Sequence, residues 1–177
     1  TGPDVVKTVT HEEVTPEELG GAKIHTTKSS IADGAYDDDL QALTQVRHLI
    51  DFLPLSNREP APPLATSDPI DRLEMALDTL IPDNPNKPYD IKEVILKSID
   101  EADFFEIQED FAKNIVTGFG RIDGQTVGFV ANQPMVLAGC LDIDSSKKAA
   151  RFVRFWDCFN IPIVTLVDVP GFLPGTA

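Results

Sequence analysis

The chain has 177 residues, of which 42% are hydrophobic and 25% charged, and it carries a formal charge of −14. That is enough for one domain or for pieces of two, and no apolar run approaches the ~20 residues a membrane-crossing helix needs. The acidity argues against nucleic acid and against an anionic membrane as partners, because both require a basic surface.

Three parts follow one another along the chain. The first runs over 1–53. It opens at Thr1-Gly2-Pro3 without a Met, as a helix start and not as a protein start, so both ends read as cut. Pro3 suits a first helical turn capped by Thr1 or Gly2. Thr15 and Glu18 have the spacing of a capping box, and Gly20-Gly21 stops the short helix behind them. A longer helix begins near Asp37. Leu40, Leu43, Val46, Leu49, Ile50 and Leu53 recur at three- and four-residue spacing, which predicts one buried apolar face. Asp37, Asp38 and Asp39 suit its positive end, and Pro54 helps to end it.

The second part, 54–89, is a linker. It holds eight prolines: Pro54, Pro60, Pro62, Pro63, Pro69, Pro82, Pro85 and Pro88. Such density favours extended chain and leaves room for only a short helical turn over 71–77.

The third part, 90–177, is denser in structure. Asp90 caps a helix with Ile91, Val94, Ile95 and Ile99 as its apolar residues. Strands are expected over 104–107, 114–122 and 125–132, the last two joined at Asp123-Gly124, a strong hairpin signal. A further short strand is expected over 135–137. Asp144 is read as the cap of a helix reaching Phe159, with Ala149, Ala150, Phe152, Val153 and Trp156 available to its packed face. The last strand, over Ile163–Val167, reads as apolar and covered on both faces. Hairpin, helix and strand in that order indicate α/β or α+β packing. Cys140 and Cys158 lack metal-like spacing and read as buried, reduced thiols. His11, His25 and His48 are scattered, so no metal is expected in this chain.

No phosphate-binding glycine loop, nucleophile elbow or metal-ligand run is present in the sequence. Two segments stand out. The first is VPGFLPG, residues 169–175. A glycine loop at a strand end can turn free backbone N–H groups toward a developing negative charge, or it can be an ordinary strand exit. The second is LAGCLDIDSSKKAARF, residues 137–152. Gly139 allows close backbone packing there. Lys147, Lys148 and Arg151 either lie in solvent or, for one of the two lysines, meet an anionic group such as a CoA phosphate or a carboxylate.

Two long stretches, TGPDVVKTVTHEEVTPEELGGAKIHTTKSSIAD (1–33) and FAKNIVTGFGRIDGQTVGFVANQPMVLAGCLDIDSSKKAARFVRFWDCFNIPIVTLVDVPGFLPGT (111–176), resemble the carboxyltransferase (β) subunits of biotin-dependent acyl-CoA carboxylases, most of all those acting on propionyl-CoA. The resemblance runs over nearly the whole chain and is weakest in the linker. It implies an α/β, crotonase-like (Clp protease/crotonase) fold present in part. Residues 1–53 would be the tail of an N-terminal subdomain and 90–177 the opening of a C-terminal one, within a subunit about three times longer. The implied reaction moves a carboxyl group from carboxybiotin to the α-carbon of an acyl-CoA, with backbone N–H pairs stabilising both enolates. Gly171, Phe172 and Gly175 would form the biotin-side oxyanion loop, and Phe172, Leu173, Pro174 and Gly139 would border the biotin ring.

Biotin, carried by a partner biotin carboxylase/biotin carrier α subunit, and acyl-CoA are the implied cofactor and substrate. A homo-hexamer is the implied assembly. The implied location is the cytoplasm in a bacterium or the mitochondrial matrix in a eukaryote. A related decarboxylase or transcarboxylase subunit, or a non-catalytic assembly module, would fit the same residues. The 177 residues alone are expected to lack transfer activity, because glycine-rich segments of both subdomains are missing from them. The family pattern leads to Gly where Ser30 stands and to Cys where Trp156 stands.

Overall fold

The computed structural model describes residues 2–175. Thr1, the alternative first cap, and the last two residues of the third part lie outside them. The first helices follow the local signals. α1 (Pro3–Thr10) is capped by Gly2. α2 (Pro16–Gly20) carries the reciprocal capping box, Thr15 N donating to Glu18 Oε2 at 2.9 Å and Glu18 N to Thr15 Oγ1 at 3.2 Å. α3 (Ala22–Thr27) begins directly after Gly21 and was not anticipated, because its six residues carry no periodic apolar pattern.

α4 (Asp39–Asp51) is capped by Asp38, whose carboxylate accepts from Gln41 N. Its predicted apolar face is not buried: Leu40, Leu43, Val46 and Ile50 are exposed. Only the C-terminal end of the helix reaches the core, where Leu49, Phe52 and Leu53 pack. A buried guanidinium fixes that end. Arg121 donates to the carbonyl of Asp51 at 2.8 Å and to Asp103 Oδ2 at 3.1 Å, and lies 4.0 Å from the centre of the Phe52 ring. His48 Nε2 meets the other oxygen of Asp103 at 2.8 Å.

The Pro-rich part is an extended strap with one short helical turn, α5 (Leu77–Leu80), which meets the expected 71–77 only at Leu77. The strap is pinned rather than loose. Leu64 N donates to Gly124 O, and Arg72 donates to the carbonyls of Lys97 and Ile99.

α6 (Ile91–Ser98) starts at Asp90, as expected. β1 (Phe105–Glu106), β2 (Ile115–Ile122), β3 (Gln125–Asn132) and β4 (Ile163–Leu166) form one sheet in sequence order. Asp123 and Gly124 both have positive φ, 51° and 74°, the backbone of a tight two-residue hairpin loop. β3 and β4 are parallel, with Gly128 beside Ile163 and Ala131 beside Leu166. The crossover between them is α7 (Ile143–Cys158).

Strand alternation then sorts the core into two layers. Ile115 and Phe119 face α7 and the end of α4, together with Phe152 and Trp156. Val116, Val127 and Phe129 face α6, together with Ile91, Ile95 and Ile99.

Several expectations are corrected. The cap of α7 is Asp142, not Asp144, because Ser145 completes a reciprocal box with Asp142 that Asp144 has no partner to make. Residues 135–137 form no strand. Leu137, Ala138 and Gly139 all have positive φ and make a tight turn, which an extended strand excludes. β4 is only half-buried, since Thr165 faces solvent and nothing described pairs with its outer edge. Ala150 and Val153 lie on the outer face of α7. Cys158 is exposed and Cys140 half-buried, so neither is a core thiol.

The two positions at which the resemblance leads to another residue have physical settings. Ser30 sits at φ 55°, a conformation glycine adopts freely, and its carbonyl is held by Gln108 Nε2 at 2.7 Å and by Arg151 Nη1 at 3.0 Å. Trp156 is fully buried against Phe119 and Phe152, and the absent side chain of Gly128 leaves room for its indole.

Lys148 is the largest surprise. It points inward from α7, 2% exposed, and donates to the carbonyls of Phe111 at 2.8 Å and Ile115 at 2.9 Å. Burial pushes its amine down to about 8 from 10.5, against the opposing pull of Glu106. Between those two values the unfolded chain binds a proton that the folded one releases, so the lysine favours the folded state more as pH rises. The stability advantage of wild type over Lys148→Met should therefore widen between pH 8 and 10.5, by roughly 1–3 kcal/mol. Urea melts at several pH values check this; a flat or narrowing difference contradicts it.

Candidate functional site

Parallel strands deliver their carboxyl ends to one edge of a sheet, and ligands of such sheets bind outside that edge. Here β3 ends at Asn132, just before Gln133, and the chain leaves β4 into Asp168-Val169-Pro170-Gly171. The turn over 137–139 packs between them. Asn132 Nδ2 donates to Gly139 O at 3.1 Å. Gly139 is buried at φ 77°, and a Cβ there would stand 2.9 Å from the carbonyl oxygen of Asp168. Only glycine therefore lets the turn close on the β4 exit.

Beyond Asp168 the loop is clamped a second time. Leu141 N donates to Gly171 O at 3.0 Å, and Leu173 N donates to Leu141 O at 2.8 Å. This is a parallel bridge between Leu141 and Phe172. In such a bridge the central residue turns its own N–H and C=O away from the partner strand. The Phe172 amide thus faces away from Leu141, and no acceptor for it occurs among the described residues. The Leu173 amide, by contrast, is consumed by the clamp.

The Phe172 side chain is 70% exposed. With Leu173 and Gly175 it lines a groove of about 430 Å³ whose other wall is the first two turns of α7: Asp142, Ile143, Ser146, Lys147 and Ala150. Burial opposes ionisation of Asp142, but the bonds from Ser145 outweigh it and hold its carboxyl below the ordinary range. It stays ionised as the helix cap. Lys147 bonds weakly to Asp144 at 3.4 Å and keeps its amine in solvent at the groove. Of the two lysines, Lys148 is engaged in the core and Lys147 lies at the groove beside Asp144. On the other side of the loop, a hollow of about 780 Å³ lies between Asp168–Pro170, Pro134, Met135, Ala138 and the end of the strap from Ile81 to Tyr89.

Of the residues singled out in the sequence, Phe172, Leu173 and Gly175 come together at the groove. Gly171 supplies a clamp carbonyl. Pro174 lies exposed beside them. Gly139 sits behind the loop, supporting it rather than lining the groove. Sequence reasoning missed Leu141, Asp168 and Tyr89. Leu141 acts only through its backbone, which no residue type announces. Asp168 had one signal, an acid at the carboxyl end of a strand.

The site offers an unpaired amide turned away from Leu141 and, beside the same residue, a mostly apolar groove. An unpaired backbone N–H can stabilise negative charge on an oxygen brought against it. Among the described residues no cluster of His, Cys, Asp and Glu could hold a metal.

Comparison with known proteins gives these features a context. All of residues 1–177 match the carboxyl transferase domain family. A propionyl-CoA carboxylase beta chain of Cereibacter sphaeroides is 74% identical over 99% of this chain and 34% of its own length. A methylmalonyl-CoA decarboxylase subunit alpha of Veillonella parvula is 53% identical over 99% of this chain and 35% of its own length. A crystal structure of a hexameric transcarboxylase 12S with methylmalonyl-coenzyme A and methylmalonic acid bound superposes with a TM-score of 0.95, at 46% identity, over 99% of this chain and 34% of that one. The chain thus spans about a third of the length of the relatives it matches.

Gly139→Ala should destabilise the protein by about 1–3 kcal/mol, since it adds both a strained φ and a contact with the β4 exit. Chemical denaturation reads this. A variant as stable as wild type would mean that the turn does not need its close approach to Asp168.

Proposed function

The chain belongs to the carboxyl transferase domain family, and from that premise we propose that it forms part of a biotin-dependent acyl-CoA carboxyltransferase. In the proposed reaction the carboxyl group leaves the ureido nitrogen of carboxybiotin, the C–N electron pair staying with that nitrogen. The acyl-CoA α-carbon, having lost a proton, forms the new C–C bond, and the proton ends on the ureido nitrogen. Propionyl-CoA would give methylmalonyl-CoA. The similarity to propionyl-CoA carboxylase beta chains supports this substrate.

The observation that carries the reading for this chain is the Phe172 amide, unpaired among the described residues at the carboxyl end of β4 and turned away from Leu141, in a residue whose side chain lines the groove. There it would donate to the ureido oxygen as negative charge develops. Phe172, Leu173 and Gly175 would border the ring, and Pro174 and Gly139 would hold the loop around it. The carboxybiotin would arrive on a biotin carboxylase/biotin carrier α subunit.

In the proposed division, residues 1–53 close an N-terminal subdomain, 54–89 link, and 90–177 open a C-terminal one. The hexamer named for the transcarboxylase and the exposed apolar residues of α4 support an oligomeric whole protein. The proposed location is the cytoplasm in a bacterium or the mitochondrial matrix in a eukaryote. No helix of the described residues is long and apolar enough to cross a membrane. The decarboxylase and transcarboxylase relatives favour a second reading, in which the same subunit type works from methylmalonyl-CoA. Assays of the full-length protein with acetyl-, propionyl- and butyryl-CoA separate these.

Phe172→Pro in the full-length protein removes the N–H and breaks no bond of the clamp. It should lower kcat for carboxyl transfer by about 100-fold or more. Phe172→Ala keeps the N–H, so it should mainly raise KM for free biotin. Wild-type kcat in Phe172→Pro would remove the amide from the mechanism.

A further inference from the structure

Tyr89 ends the Pro-rich strap and directly precedes the cap of α6. Its ring packs against the apolar layer under α6. Its hydroxyl crosses to the β4 exit and donates to Asp168 Oδ2 at 2.8 Å, a contact between residues 79 apart in sequence. Burial, then the bond to Asp168 and its charge, push the phenol up to about 12. The proton therefore stays on Tyr89, and the direction of donation is fixed. The backbone beside it is anchored as well: Asp90 Oδ1 accepts from Lys92 N at 2.9 Å and from Gln133 Nε2 at 2.7 Å. Gln133 belongs to the β3 exit. One short segment thus grips the carboxyl ends of both parallel strands.

Asp168 is the first fixed point of the site loop. Its carbonyl rests against Gly139 and its carboxylate is held by Tyr89. Only Val169 and Pro170 separate it from Gly171, the first clamp residue, and the pyrrolidine of Pro170 stiffens that link. A shift at Asp168 is therefore passed to Gly171 and to the amide of Phe172. We propose that Tyr89 is a positioning residue, whose hydroxyl acts through Asp168 to set the direction of the Phe172 amide. This rests on the carboxyl-transfer reading above and adds a residue far from the loop in sequence.

The test uses the full-length carboxyltransferase containing this segment, with methylmalonyl-CoA as donor and free biotin as acceptor. In that direction the carboxyl carbon moves to the ureido nitrogen, and the proton that nitrogen releases ends on the α-carbon. Tyr89→Phe and Asp168→Ala should each lower kcat about tenfold, since small misplacements of a reacting geometry are expensive in rate. KM for methylmalonyl-CoA should not move. The double variant should fall no further than either single one. Asp168→Asn keeps an acceptor for the phenol and should recover most of the rate lost in Asp168→Ala.

Wild-type kcat in Tyr89→Phe, or losses that multiply in the double variant, would overturn the proposal. If Tyr89→Phe fails to fold, Asp168→Ala carries the same test, because the Asp168 side chain is exposed and outside the core. If the wild-type protein transfers no carboxyl group, the functional reading fails separately. The tether is then judged by amide exchange: Leu173 should exchange several-fold faster in Tyr89→Phe while β2 and β3 amides stay unchanged, and an unchanged Leu173 overturns it.

Discussion

Two backbone hydrogen bonds, Leu141 N to Gly171 O and Leu173 N to Leu141 O, decide what the site loop can do. They bind the residues on either side of Phe172 and leave the amide of Phe172 itself facing away from Leu141. A loop with Gly171, Pro174 and Gly175 has little intrinsic stiffness at its glycines. Without this clamp its amides would point in many directions, and an amide that must be ordered during the reaction gives up much of its stabilising value.

The clamp works because both of its strands are themselves fixed. Leu141 immediately precedes the capped start of α7, where Asp142 and Ser145 satisfy each other. One turn further on, Lys148 reaches under the helix to the carbonyls of Phe111 and Ile115, joining α7 to the stretch that leads into β2. On the far side, β4 is paired to β3, and its exit is held by Gly139 and Tyr89. The apolar layers on both faces of the sheet supply the mass against which these polar contacts are set. A buried lysine is an unusual strut. Its charge is offset by two carbonyls and by nearby Glu106, and removing only the lysine would leave those carbonyls unpaired.

Several local signals match the structure because the residue type itself fixes the backbone. The Thr15–Glu18 box, the Asp90 cap and the Asp123-Gly124 hairpin are of this kind. So is the Gly/Pro loop after a strand, together with the family it belongs to. Periodicity was less reliable. The spacing of Leu40, Leu43, Val46 and Ile50 is that of a buried face, yet these side chains are exposed, because apolar spacing states a preference and not the presence of a cover. Lys148, expected either in solvent or against an anionic group, is instead taken up by two backbone carbonyls that only the tertiary fold brings to it. The Asp142 cap was missed by two residues because two acids compete there and only one has a serine at the right distance. The tether from Tyr89 to Asp168 spans the whole C-terminal half of the chain, and no local pattern reveals such a contact.

Everything proposed for the loop depends on the orientation of one amide. Residue-resolved hydrogen exchange of the folded protein measures it directly. The amides of Leu141 and Leu173 should be protected, while that of Phe172, the residue paired with Leu141 in the bridge, should exchange at least about tenfold faster. Equal protection at all three would mean that Phe172 already has an acceptor within the protein, and the loop would then have no donor to offer.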